Sequence, residues 1–163
     1  MNVEPIVRDA HDEDVERLRD VLVRAFREYE GRLDPPSGVH SETVASLASR
    51  LKEGGALICE ADGIAAGSIF YAPKAGYLYV GRLGVIPECR GRGIGDMLLR
   101  AAERRAGELG LSRVRLGVRL SLGALRAYYE ARGYVSIALG RHAGYTEATY
   151  VEMEKVLDHH PPN

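Results

Sequence analysis

Apolar positions along the chain alternate between a helical and a strand-like period. Pro5–Ala10 reads as a short strand with a polar stop. From Asp12, DEDVERLRDVLVRAFREYE sets Val15, Leu18, Leu22, Ala25, Phe26 and Tyr29 at helical spacing, with acids in the first turn. Pro35 and Pro36 in GRLDPPSGVHS stop any continuation, because proline lacks an N–H and fixes φ. A second helix is expected over ETVASLASRLKE, with Ser41 as its N-cap and Gly54–Gly55 as its stop. The period then falls to two. ALICEA and IAAGSIFYA flank Asp62–Gly63, a strong hairpin signal. A looser turn, PKAG, leads to the longest strand candidate, Tyr77–Ile86. A helix is expected from roughly Gly91 to Leu109, a strand over Arg113–Arg119 and a short helix over Ser121–Arg132. Strands around YVSIALG and ATYVEMEKVL close the order β-α-α-β-β-β-α-β-α-β-β. This order predicts an α/β (α+β mixed sheet) fold, with about seven strands flanked by about four helices.

At 163 residues the chain suits one domain, expected over 1–157, with a tail at 158–163. The formal net charge of −1 lacks the basic footprint of a nucleic-acid binder. No apolar run approaches the roughly 18 residues that span a bilayer. The start, MNVEPIVRD, has neither the basic nor the apolar region of a signal peptide. Cys59 and Cys89 form no metal or redox motif, and His159–His160 in a proline-rich tail makes no closed metal site. These features lead us to expect a cytoplasmic, reduced protein with no metal, membrane or nucleic-acid partner.

The chemistry concentrates in RLGVIPECRGRGIGDMLLRAAERR. Gly91, Gly93 and Gly95 stand between the longest strand and a helix. Glycines let several N–H groups converge on one point, and the following helix adds the positive end of its dipole. Arg90 and Arg92 offer cationic donors beside them. A pyrophosphate cradle fits best. The Gly-Lys-Ser/Thr of a P-loop is absent, and a Rossmann fingerprint would need glycine where Asp96 stands. A plain glycine turn with solvent-facing arginines is the competing reading.

LGVIPECRGRGIGDMLL closely resembles the core motif of the GCN5-related N-acetyltransferase (GNAT) superfamily, through Leu83, Val85, Pro87, Arg90, Gly93 and Gly95. LRAYYEARGYV resembles that family's second motif, with Tyr129, Gly133 and Tyr134 in place. The resemblance implies acetyl-coenzyme A as acyl donor, with no metal. The backbone of Arg90, Gly91, Arg92, Gly93, Ile94 and Gly95 would grip the pyrophosphate. Leu83, Gly84 and Val85 would pair with the pantetheine arm as an added strand does, with Gly84 allowing close approach. The Val85 N–H would polarise the thioester carbonyl.

The resemblance also implies direct transfer to an amine, on a small molecule or a protein, with Tyr129 as the acid for the departing thiolate. Two departures stand out. The strand position where some relatives carry a glutamate is Tyr79, and the position where many carry an asparagine is Leu122. The base is left among Glu60, Glu28, Glu30, His40, His142 and Glu147. Cys89 invites a covalent route, but no His/Asp partner is discernible. Small residues at Ala65, Ala66, Gly67 and Ser68 could leave room for a longer acyl chain. Acidic and aromatic residues in YEGRLDPPSGVHS and GRHAGYTEA suit a cationic acceptor. A homodimer, common among relatives and sometimes formed through the last strands, is a further expectation. The alternative to an enzyme is a coenzyme A-binding module acting as sensor or scaffold.

Overall fold

In the computed structural model, which describes residues 4–158, seven strands form a sheet in the order β1-β2-β3-β4-β5-β7-β6. The strands are β1 (Ile6–Asp9), β2 (Gly55–Ala61), β3 (Ile64–Lys74), β4 (Tyr77–Val85), β5 (Arg113–Arg119), β6 (Val135–Gly140) and β7 (Tyr150–Val156). Four helices, α1 (Val15–Phe26), α2 (Val44–Glu53), α3 (Ile94–Glu108) and α4 (Gly123–Glu130), complete the expected element order. The sheet is mixed, because β4 and β5 run parallel while β1–β2, β2–β3, β5–β7 and β6–β7 are antiparallel. Past Asp158, the expected tail lies outside the described residues. Two compact units emerge: residues up to Ala72 with Val80–Arg105, and Pro73–Tyr79 with Ala106 onward.

In the first unit, Asp62 (φ 54°) and Gly63 (φ 80°) both take the left-handed conformation that a two-residue hairpin needs. Strand alternation sends Ala56, Ile58 and Phe70 into a core with Val15, Leu18 and Leu22 of α1 and Leu47 of α2. The opposite face meets α3. A β-carbon on Gly67 would lie 3.0 Å from Leu98 and 3.1 Å from Ile94. Gly67 is thus a close-packing position against α3. The cap of α2 is Thr43, not Ser41. Ser41 ends a separate 3-10 turn, Gly38–Ser41, and Thr43 and Ser46 satisfy each other's backbone N–H groups at 3.0 and 2.8 Å. Cys59 and Cys89 are both buried, and burial together with the neighbouring Cys89 pushes the Cys59 thiol up to about 11.

In the second unit, β5 pairs with β7 from Arg113↔Val156 to Arg119↔Tyr150. Val114, Leu116 and Val118 alternate inward with Val151 and Met153. Buried Glu154 is held by Arg115 at 2.6 Å and Arg113 at 3.3 Å, and Arg115 stacks on Tyr77 at 4.2 Å. The edge strand β6 leaves Val135, Ile137 and Leu139 exposed. Leu122 occupies the N-cap of α4 without a side-chain cap, as an apolar side chain must.

Candidate active site

The end of β4 is not a regular strand. Arg82 adopts φ 54°, a conformation that costs a non-glycine residue about 1–2 kcal/mol and kinks the strand just before Leu83–Val85. Its guanidinium is anchored by Glu42, a carboxylate only 5% exposed, at 3.0 Å. Arg50 bonds the same carboxylate at 2.8 Å, and the Ser46 hydroxyl donates to its other oxygen. Burial alone would raise the Glu42 pKa, but these donors and charges hold it below the usual carboxylate value. Nothing in the sequence flags this device, because Arg82 lies 40 residues from the Glu42 that holds it.

Beyond the kink, Leu83 and Val85 are half-buried and Gly84 is buried. Gly84 serves packing. A β-carbon there would meet Ala25 Cβ at 2.9 Å and Phe26 Cε1 at 3.1 Å, so its missing side chain admits α1. A 3-10 turn, Pro87–Cys89, then leads into the glycine loop. Gly91 (φ 82°) and Gly93 (φ 76°) are left-handed, with nothing within 4 Å of where a β-carbon would stand. Ile94 and Gly95 already belong to α3, whose first turn begins with Met97 N–H bonding Gly93 O at 3.0 Å. The loop therefore presents open backbone at a helix N-terminus, where peptide N–H groups lack intrahelical partners and the helix dipole is positive.

The two arginines, expected as cationic donors, are tied down. Arg90 Nε donates to Val85 O at 3.2 Å, and its terminal nitrogen bonds Ala25 O at 3.0 Å and Glu28 at 2.8 Å. Arg90 thus fastens the end of β4 to the C-terminus of α1. Arg92 pairs with Asp62 of the β2–β3 hairpin at 3.0 Å. Both pairings neutralise charge at the loop, leaving its backbone as the clearest donor set. A cleft of about 300 Å³ lies here, lined by Arg24, Arg27, Glu28, Pro87, Glu88 and Arg90. A second cleft of about 490 Å³ contains none of the loop's residues, and Arg105 in it is held by Asp9 at 2.6 Å.

Tyr129 belongs to the second unit. It is buried, with its ring edge-on to Tyr128 at 5.2 Å and Tyr134 at 5.7 Å. The base candidates divide sharply. Glu60 is bonded by Arg8 and by Arg17 at 3.5 Å, and the Arg8 bond lowers its pKa. Glu28 is bound to Arg90, and Glu30 lies 4.0 Å from His40. Glu147 is exposed. His142 is half-buried, and burial with the Arg119 charge holds its pKa below the usual histidine value. Among the described residues no group of three His, Cys, Asp or Glu side chains could hold a metal ion.

This fold, with its kinked strand, glycine loop and helix, is that of an acetyltransferase. The family model described as the acetyltransferase (GNAT) family matches residues 15–134, running through both units, and the chain belongs to that family. Among solved structures, it is similar to the PaiA N-acetyltransferase of Thermoplasma acidophilum in complex with coenzyme A. That match has 22% identity and a TM-score of 0.76, covering 94% of this chain and 99% of that one. A GNAT family acetyltransferase from Elizabethkingia anophelis with acetyl-CoA bound matches at 14% identity and TM-score 0.71, over 94% and 98% of the two chains. The GNAT family acetyltransferase of Streptococcus pneumoniae matches at 20% and 0.73, over 95% and 100%. No curated protein matches the chain.

Proposed function

We propose that the protein transfers an acetyl group from acetyl-coenzyme A directly to a primary amine. The observation that carries this reading is the open, left-handed glycine pair Gly91 and Gly93, running into α3 directly after the kinked end of β4. The backbone of Arg90–Gly95 holds the pyrophosphate, its amides and the α3 dipole favouring negative charge. Leu83, Gly84 and Val85 present main chain to the pantetheine amides, and the Val85 N–H stabilises charge on the acyl oxygen. Acetyl-coenzyme A, when bound, supplies the activated acyl carbon. Tyr129 gives its phenolic proton to the departing sulfur. Coenzyme A and acetyl-CoA in two structural neighbours support the cofactor. To the same proposal belong cytoplasmic residence and a homodimer, for which the exposed edge of β6 offers a surface.

Two measurements test it. Calorimetric titration with acetyl-coenzyme A should show binding at sub-millimolar concentration, and absence of binding would overturn the cradle. Tyr129→Phe should bind equally well yet release thiol about 10²–10⁴-fold more slowly in the presence of an accepted amine. Binding without thiol release for any amine would favour the sensor reading, which the departure at Leu122 from the asparagine of many relatives motivates.

A further inference from the structure

Coenzyme A carries two anionic groups. The pyrophosphate joins the pantetheine arm to the nucleotide, and a phosphomonoester stands on the 3′-oxygen of the ribose. The glycine loop offers backbone donors for the first of these. The second lies one sugar away, so the side chains beside the loop bear on which acyl donor the protein accepts.

Four arginines stand at the loop or next to it, all in the first unit. Arg92 pairs with Asp62 at 3.0 Å, Arg90 with Glu28 at 2.8 Å, and Arg24 with Glu88 at 2.5 Å and Asp20 at 3.5 Å. Arg27 differs. It is exposed, and among the described residues its guanidinium makes no ion pair or side-chain hydrogen bond. It opens the 3-10 turn Arg27–Tyr29 that follows α1, where it lines the cleft of about 300 Å³ with Arg24, Glu28, Pro87, Glu88 and Arg90.

That cleft adjoins the loop through the chain itself. Pro87 and Glu88 belong to the turn that runs into the loop, and Arg90 directly precedes Gly91. Its wall sets three guanidinium groups against two carboxylates, and the pairings leave the charge of Arg27 uncompensated. The end of α1 would by itself repel an anion, because the last carbonyls of a helix carry partial negative charge. Here Arg90 donates to Ala25 O at 3.0 Å and covers one of those carbonyls. A phosphomonoester in the cleft would meet a planar fork of donors that no carboxylate has claimed.

Resting on the acetyl-coenzyme A reading above, we propose that Arg27 binds the 3′-phosphate of coenzyme A in this cleft and so selects coenzyme A esters over acyl donors that lack that phosphate. The labour is divided. Backbone amides take the pyrophosphate, Arg90 and Arg92 hold the loop in shape through Glu28 and Asp62, and Arg27 supplies the side-chain charge.

The test is calorimetric titration of the full chain with coenzyme A and with 3′-dephospho-coenzyme A. Wild type should bind coenzyme A about tenfold more tightly, the low end for a hydrogen bond between charged groups because Arg27 is exposed. The preference should shrink as ionic strength rises. Arg27→Gln should bring the ratio of the two affinities close to one. Arg27→Lys should keep part of the preference, since the charge stays while the fork is lost. Phosphorus-31 NMR of bound coenzyme A should show the second ionisation of the 3′-phosphate below its ordinary value of about 6, returning toward it in Arg27→Gln. Equal binding of the two ligands by wild type, or a preference that survives Arg27→Gln, would each overturn the assignment and leave the acetyl-coenzyme A reading standing. If neither ligand binds, that reading fails, and the assignment with it.

Discussion

Glu42→Ala is expected to lower folding stability by about 3 kcal/mol, read as a fall in the urea midpoint at neutral pH. Glu42 is 5% exposed and bonds Arg82, itself 22% exposed, so removing the carboxylate takes a charged partner away from a largely buried cation. That cation also sits on the one residue of β4 with positive φ, so the kink loses its anchor with the charge. The better exposed Arg50 can turn to water, which keeps the loss toward the lower end for a broken buried pair. The effect depends on pH in a defined direction. The folded pKa of Glu42 is depressed, so its contribution is fully present above the unfolded value of about 4.3 and is lost as pH falls through the folded value. Wild type and Glu42→Gln should therefore differ most near neutrality and converge as pH falls through the depressed folded value. A constant gap across that range would show that the charge is not what holds Arg82.

The second large effect is at Gly67. Gly67→Val should cost about 3 kcal/mol and weaken acetyl-coenzyme A binding at least about tenfold, measured by urea melts and calorimetry on the same preparation. A β-carbon there would stand 2.9 Å from the Gly84 carbonyl, 3.0 Å from Leu98 and 3.1 Å from Ile94. The first of these is backbone and cannot rotate away. Relief must come from moving β4 at Gly84 or moving the start of α3, and these are the two segments the proposed cofactor site uses. Gly67→Ala should show the same pair of losses in smaller measure. A variant that melts early but binds the cofactor normally would show that the strain is absorbed within β3.

Elements set by local pattern were legible in the sequence. Asp62–Gly63 forms its hairpin, Arg113–Arg119 is a strand, and the glycine loop opens α3. What could not be read depends on partners far away in the chain. The cap of α2 moved from Ser41 to Thr43 because a 3-10 turn, stabilised by Ser37 accepting from Val39 N–H, uses up residues 38–41 first. Arg90 and Arg92 look like phosphate donors in isolation; Glu28 and Asp62, 62 and 30 residues distant, claim their guanidinium groups. That the place of a Gly84 side chain is taken by Ala25 and Phe26 of α1 is likewise a long-range packing fact. The positive φ falls on Arg82 rather than on the neighbouring Gly81 or Gly84, and the carboxylate that bonds its guanidinium comes from before α2.

The two cysteines have a consequence for handling the protein. Both thiols are buried, which screens them from reagent, and the Cys59 thiol is also pushed up to about 11 by burial, which keeps it from supplying thiolate at the pH of an ordinary assay. A chromogenic disulfide reagent should therefore count coenzyme A released in turnover with little background from the folded enzyme. The same reagent, applied without substrate, becomes a clock. Colour can then appear only as fast as the chain opens β2 or the turn before the glycine loop, so its rate under native conditions measures local opening directly.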